Sequence, residues 1–450
     1  VETTAHRWTN PSVLRLAGGA DPVETIVRRA RSVVTAALDD GWSGPPYDPI
    51  ELARRLGVRV VGSDDVRDAR TVAGDDGSLQ IEFNPSRPRA RIRYSIAHEL
   101  AHTLFPDCSD HVRNRAAYHE LAKDEWQLEA LCNIAAAEFV MPLGSFEELR
   151  SEGFGIDDLL ALRTRLEVSM EALLLRIVRL STRPLAMFCA SRIESGAGRG
   201  RVRLDYSIGS SKWRRVPPRG LILPADSVVR ECSAIGYTAK GAETWVSMDV
   251  AIECVGIPPY PGSTWPRVVG LLKHPGTLAE DQPGISCLRG DALEPRGKET
   301  AIVAHIVNDA TPNWGGRGFA QAVRARLPKV QEDFRNWVSL NRKNLSLGNS
   351  RLCSAGPSMY VLSMVCQEGY GPSSAPRLRY AALQTCLIRL ANVATELEAS
   401  VHLPRIGTGH AGGAWQIIKE LIEQEVCDRG IAVTVYDLPG PMNPPSRATG

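Results

Sequence analysis

The run His98-Glu99-Leu100-Ala101-His102 sets two imidazoles four residues apart with a carboxylate beside the first. On a helix that spacing brings both rings to one face, where they can share a metal ion. Glu99 stands where it can take a proton from a water activated by that ion. A hydrolytic zinc site needs three protein ligands and one open position, so a third ligand must come from elsewhere. The longer pattern HExxHxxGxxH is absent: Phe105 replaces its Gly and Cys108 its third His. The downstream segment DEWQLEALCNIAAAEFVMP carries Glu125, Glu129 and Asn133 on one helical face, beside small Ala residues that permit close packing. Glu129 is the strongest third ligand because Leu128, Ala130 and Leu131 bracket it; Cys108, His111 and His119 are weaker choices. A helix whose two His and Glu are merely solvated is the bland alternative. It fits poorly with Ile96, Ala97, Leu100, Ala101 and Leu104 around the triplet, because buried polar groups need partners.

A second chemistry-bearing constellation lies near the C-terminus. His402-Leu403-Pro404-Arg405-Ile406-Gly407-Thr408-Gly409-His410-Ala411-Gly412-Gly413-Ala414-Trp415 joins an expected strand to an expected helix. Glycines let backbone N–H groups approach a phosphate, and a helix N-terminus adds a favourable dipole. Another such loop follows the strand 301–307: Asn308-Asp309, then Trp314-Gly315-Gly316-Arg317-Gly318-Phe319. Two Gly-rich loops at strand C-termini suit a nucleotide in the crevice of an α/β sheet. The order is not that of a dinucleotide-binding GxGxxG unit.

Both constellations resemble known families. RIRYSIAHELAHTLF followed by EALCNIAAAEFVMP, within about 45–180, resembles the ImmA/IrrE family of zinc metallopeptidases. The resemblance implies a gluzincin-like helical domain with His98, His102 and Glu129 as zinc ligands and Glu99 as general base. It also implies a protein substrate, often a helix-turn-helix repressor in stress response. About 284–437 resembles a macrodomain, a three-layer α/β module that binds ADP-ribose, most specifically through PRIGTG…GG.W and VTVYDLP. By that resemblance Gly290-Asp291 matches the motif whose Asp binds adenine. Gly407, Thr408, Gly409, His410, Ala411, Gly412 and Gly413 would hold the diphosphate. Asn308, Asp309, Gly315, Gly316, Gly318 and Phe319 would sit near the distal ribose. Related glycohydrolases use a Lys and an Asp where this chain has Val365 and Ala411, so a reader of ADP-ribose is expected rather than a hydrolase.

The elements that must position these residues follow from periodicity. Helices are expected over 21–40, from Asp48-Pro49 to Gly57, over about 91–104, over 122–140, and twice within 144–180. Strands are expected at 58–61 and 79–83. Residues 184–275 are rich in Gly, Pro and β-branched types, with strands at 202–206, 244–248 and 268–272. From 284 strands and helices alternate, which argues for a sheet covered on both faces. The expected division is a loose arm 1–20, a zinc peptidase domain 21–183, a β-rich middle segment 184–275, a macrodomain 276–440 and a tail 441–450. The fold class is multidomain, α+β and α/β.

Length and composition agree. At ~150 residues per domain, 450 residues suggest about three domains. With 43% hydrophobic and 23% charged residues, disordered, collagen-like and coiled-coil chains are excluded. Lys and Arg number 53 against 51 Asp and Glu, so a net charge of +2 gives no global footprint for nucleic acid. Arg203, Arg214, Arg215 and Arg219 with Trp213 and Tyr206 are a local exception, read as a solvated face; direct nucleic-acid binding is not expected. Ten scattered Cys, no apolar leader in 1–20 and no long apolar run point to a cytoplasmic chain with no membrane partner. The expected whole is a zinc endopeptidase cleaving a repressor-like protein, with a C-terminal sensor of ADP-ribose or an ADP-ribosylated macromolecule. The alternative is an ADP-ribosylation reader or hydrolase with a structural or regulatory zinc domain.

Overall fold

The computed structural model describes residues 8–73, 78–108, 113–114, 124–146, 154–181, 183–213, 215–274, 285–295, 300–314, 316, 318–371, 373, 375–409 and 411–437. They divide into two compact units: Val1–Ala37 with Trp42–Glu280, and Leu38–Gly41 with Asp281–Gly450. No helix among the described residues is long and apolar enough to cross a membrane. The ten cysteines form no disulfide. The expected tail 441–450 lies outside the described residues.

The first unit opens with helices α1 (Pro11–Ala17), α2 (Pro22–Asp39) and α3 (Pro49–Arg55). Helix α1 corrects the expectation of a loose arm over 1–20. Asn10 Oδ1 accepts from the N–H of Ser12 and Val13, Pro11 takes the first turn, and Gly18 closes the helix at φ 57°. Its Val13 and Leu16 are buried. Strands β1 (Arg59–Gly62), β2 (Ala69–Ala73), β3 (Leu79–Phe83) and β4 (Arg113–Asn114) form a sheet in the order β1-β3-β2-β4. Helices α4 (Arg89–His102), α5 (Glu125–Val140), α6 (Ile156–Leu166) and α7 (Met170–Leu180) complete this part. Ile96, Ala97, Leu100 and Ala101 of α4 are fully buried, as are Leu131, Ala135 and Ala136 of α5. Small side chains on α5 let the two axes approach, so polar groups from both helices meet.

The middle segment belongs to the same compact unit. Strands β5 (Leu185–Arg192), β6 (Val202–Gly209), β7 (Thr238–Trp245), β8 (Met248–Ile257) and β9 (Arg267–Lys273) form an antiparallel sheet in the order β6-β5-β9-β8-β7. The single strand expected over 244–248 is instead the end of β7, a two-residue turn at Val246-Ser247 and the start of β8. Val246 and Ser247 both have positive φ, 48° and 64°, in the tight two-residue connection of a hairpin. One sheet face buries Phe188, Trp245, Ile252 and Leu272 under the segment carrying Trp213, Leu223 and Val229.

In the second unit β10 (Ile285–Arg289), β11 (Ala301–Asn308), β12 (Ser350–Gly356), β13 (Met359–Gln367), β14 (Ser400–Pro404) and β15 (Val433–Asp437) form one sheet, ordered β10-β15-β14-β11-β13-β12. Only β12 is antiparallel to its neighbour. Helices α8 (Gly318–Arg326), α9 (Pro328–Leu340), α10 (Tyr380–Glu396) and α11 (Trp415–Glu425) complete it. Val303 and Val307 of β11 and Val361 and Val365 of β13 pack with Val323, Val330 and Phe334 of α8 and α9. On the opposite face Cys366 of β13 meets Cys386 of α10. The unit is therefore a three-layer α/β sandwich. Its five parallel strands end at one edge, where the loops carrying the predicted ligand residues begin.

Candidate functional site

In the first unit α4 and α5 bring His98, His102 and Glu129 together. Their nearest ligand atoms all lie within 4.8 Å of one another, and all three residues are buried. His98 Nε2 is 2.9 Å from Glu129 Oε2, and His102 Nε2 is 3.6 Å from Glu129 Oε1. A tetrahedral ion with bonds of about 2.0–2.2 Å spaces its ligand atoms about 3.4 Å apart, so the donor set fits such an ion. The support is built in. His98 Nδ1 donates to Asn133 Oδ1 at 3.0 Å, and Cys132 Sγ lies 3.4 Å from His102 Nδ1. With its proton on Nδ1, a neutral His98 turns the Nε2 lone pair toward a carboxylate oxygen. Two acceptors at that distance require a shared proton or a metal ion.

Glu99 sits beside this group at 0% exposure. Thr71 of β2 donates its hydroxyl to Glu99 Oε2 at 2.9 Å, while Glu99 Oε1 has no hydrogen-bond partner among the described residues. Burial pushes its carboxyl up to about 7, against the lowering effect of His98 and the Thr71 hydrogen bond. Thr71 escaped the sequence reading because it lies 28 residues from Glu99 and meets it only through tertiary packing. Among the described residues the group has three members. Cys132 supports His102 on its far nitrogen, and Cys108 is buried outside the group. Glu125 shares the helix but not the cluster; His111 and His119 lie outside the described residues.

In the second unit β11 and β14 are parallel neighbours, so the two Gly-rich loops open at the same sheet edge. Gly407 and Gly412 adopt φ of 75° and 68°, and Gly413 N–H donates to Gly407 O at 2.8 Å, closing the loop. A Cβ on Gly413 would stand 2.3 Å from Leu378 Cδ2, whereas one on Gly409 meets nothing within 4 Å. The N–H groups of Thr408 and Gly409 donate to no protein acceptor among the described residues. Ala411 is buried, its carbonyl accepting from Arg377 and Leu378. Asn308 Oδ1 accepts from Ala310 and Thr311, and Asp309 Oδ1 from Gly369 N–H at 2.8 Å. Both side chains thus shape loops. Gly316 is exposed, and Gly318 opens α8 at φ 64° with Phe319 next to it. Asp291 follows β10, two strand positions from β14, or about 10 Å. It already accepts from Leu293 N–H and pairs with Arg326 of α8, which tertiary packing brings to it. Gly315 and His410 lie outside the described residues.

The interleaved aromatics of the basic middle segment are not free to stack on bases. Trp213 is buried and stacked on His274, and Tyr206 donates its hydroxyl to Glu171. Arg214 lies outside the described residues.

Residues 53–178 match the family model of the IrrE N-terminal-like domain. Chromodomain-helicase-DNA-binding protein 1-like from Danio rerio is 30% identical over 167 residues, 35% of this chain and 16% of that protein. The chain spans about a sixth of the length of the curated relatives it matches. A macrodomain protein from Streptomyces coelicolor is 42% identical over 34% of this chain and 98% of its own, with a TM-score of 0.31. Thermosipho africanus DarTG, solved with ADP-ribose, is 19% identical over 32% of this chain and 39% of its own, with a TM-score of 0.26. The stretch 53–178 is thus metallopeptidase-like, and 34% of the chain is similar in sequence to a macrodomain protein.

Proposed function

We propose that the first unit is a zinc endopeptidase and that the second binds ADP-ribose or an ADP-ribosylated macromolecule as its sensor. The observation that carries the peptidase reading is the buried His98–His102–Glu129 group with an unpartnered Glu99 oxygen beside it. His98, His102 and Glu129 would hold the zinc. When bound, the ion supplies Lewis-acid polarisation of water and of the scissile carbonyl. Glu99 Oε1 takes the proton from the attacking water and returns it to the departing amide nitrogen. Thr71 holds the other oxygen of Glu99 in place. Asn133 fixes the His98 ring. In this reading the fourth position of the ion stays open for substrate, as a hydrolytic zinc site requires.

The substrate class is a regulatory protein of helix-turn-helix repressor type, by resemblance of the HExxH domain. The ADP-ribose reading rests on two Gly-rich loops at one edge of the parallel sheet and on the N–H groups of Thr408 and Gly409, which have no protein acceptor among the described residues. Val365 and Ala411, where glycohydrolases of this type carry Lys and Asp, favour binding over hydrolysis.

The test is cleavage of repressor-type proteins by the zinc-loaded chain. Glu99→Gln should retain the zinc, measured as metal content, and lose about 10²–10⁴-fold in cleavage rate. Unchanged cleavage by that variant overturns the mechanism. Calorimetric titration with ADP-ribose tests the second unit: Gly409→Glu places a charged side chain at the diphosphate loop, where a Cβ is tolerated, and should abolish binding.

A further inference from the structure

The five-stranded sheet of the first unit carries a cleft that neither reading uses. The turn joining β5 to β6 contains Gly196, Gly198 and Gly200, all at positive φ, and folds back tightly: Ile193 N–H donates to Arg201 O and Gly200 N–H to Ile193 O. Arg199 and Arg201 thereby flank one side of a cavity of about 240 Å³. Its other side is Leu223, Pro224, Ala225 and Arg230. A separate small recess, which shares Val202 and Arg230 as lining, is bordered by Arg192.

Three arginines, Arg199, Arg201 and Arg230, therefore line one concavity and a fourth, Arg192, the recess beside it, and among the described residues none of the four forms an ion pair. The acid of the turn, Glu194, is occupied by Ser263 and Thr264. Asp226 and Glu231 stand in the opposite segment without pairing to any of the four. Two of the four are oriented by protein contacts. Arg192 lies over the Trp265 ring at 4.6 Å, and Arg230 donates to the Ala225 carbonyl. In a chain with almost balanced charge, unpaired arginines around a cavity are a local excess that an anion would neutralise. Planar, multidentate guanidinium donors match phosphate oxygens. The volume lies below the roughly 300–1,000 Å³ of drug-sized pockets, which suits a small anion rather than a dinucleotide.

We propose that this cleft binds a small phosphate-bearing ligand, a phosphate monoester or a pyrophosphate, through Arg199, Arg201 and Arg230. The proposal stands apart from the peptidase and ADP-ribose readings. It is tested in the full chain carrying Gly409→Glu, so that the C-terminal loop does not contribute. Inorganic phosphate and pyrophosphate are titrated calorimetrically at low salt. Saturable binding is expected that weakens at least tenfold in Arg201→Gln/Arg230→Gln and also falls with added salt, as it must for partly exposed charges. Both substituted residues are exposed, so thermal unfolding of the double variant should match the parent and show that the fold is kept. Absence of saturable binding, or binding unchanged in the double variant, overturns the proposal. So does binding of a duplex oligonucleotide where neither phosphate nor pyrophosphate binds, which would make the cleft a nucleic-acid contact.

Discussion

Asn133 separates holding a metal from supporting its holder. Its Oδ1 accepts from His98 Nδ1, and the same oxygen lies 3.2 Å from Tyr94 Oη. Removing such a support leaves the ligands in place but frees the ring, which typically costs 10–100-fold in metal affinity. Asn133→Ala should therefore weaken zinc binding by about that factor in a competition titration with a chromophoric chelator; unaltered affinity would remove Asn133 from the site. His305 makes a prediction of another kind. It lies on β11, buried against Trp314 and Phe319, with Nε2 2.8 Å from Ser363 Oγ and Nδ1 unpartnered. Burial holds its pKa down to about 3, so the folded unit keeps it neutral. The unfolded chain protonates it near ~6.5, so between that pH and about 3 the unfolded state binds more protons. Stability should fall with acidification through this window, with a slope approaching ~1.4 kcal/mol per pH unit from this residue alone. Comparing pH-dependent unfolding of His305→Gln with the parent cancels the other titrating groups; parallel curves would show that His305 is not the source.

Helix α5 carries Glu129 and Asn133 in its middle, and its far end is fixed by charge. Arg176 of α7 donates from both guanidinium ends to Glu138, whose carboxylate also lies 3.5 Å from Arg31 Nε. Burial alone would raise the Glu138 pKa, but Arg176 and Arg31 outweigh it and hold the carboxyl below its usual value. Arg176→Met leaves a buried carboxylate short of its main partner and should cost about 3–5 kcal/mol in denaturant unfolding. Removing both charges, as Glu138→Leu/Arg176→Met, should cost less, because only Arg31, which is partly exposed, then loses its partner. An equal loss in both variants would mean that the pair acts by shape alone. The ligand loop of the second unit has a similar internal contrast. Gly413→Ala drives a Cβ into Leu378 and should lower stability, whereas Gly409→Ala should not.

These elements also explain what the sequence could reveal. Helices α4 and α5 were legible because the spacing of His98, His102, Glu129 and Asn133 is a local helical property. Strand β2 was not: Ala69–Ala73 has no clear alternation, and its role comes from Thr71 reaching a helix far along the chain. The turn at Val246-Ser247 was hidden because a β-branched residue there looks like strand, although the backbone is left-handed. Glycines marked the loops of the second unit. The Asp291–Arg326 pair, made by tertiary packing, left no mark.

At the scale of the whole chain, two compact units with the two proposed ligands should answer to them separately. A ligand that binds only folded protein stabilises it by RT ln(1 + [L]/Kd), or about 2.7 kcal/mol at a hundredfold excess over Kd. In scanning calorimetry, metal removal by a chelator should lower the transition of the first unit. ADP-ribose should raise that of the second, and Gly409→Glu should erase only the latter response. A sensor demands more than this pair of independent shifts. If ADP-ribose alters the affinity for the protein substrate by some factor, the substrate must alter the affinity for ADP-ribose by the same factor. Titrating ADP-ribose into the Glu99→Gln chain with and without bound, uncleaved repressor measures that factor with no turnover to confuse it. A Kd that changes several-fold and loses its response with Gly409→Glu makes the second unit a regulator of the first. A Kd identical in both titrations, with substrate saturating, means that ADP-ribose leaves substrate affinity untouched, and recruitment of the peptidase to ADP-ribosylated targets then becomes the role left for the second unit.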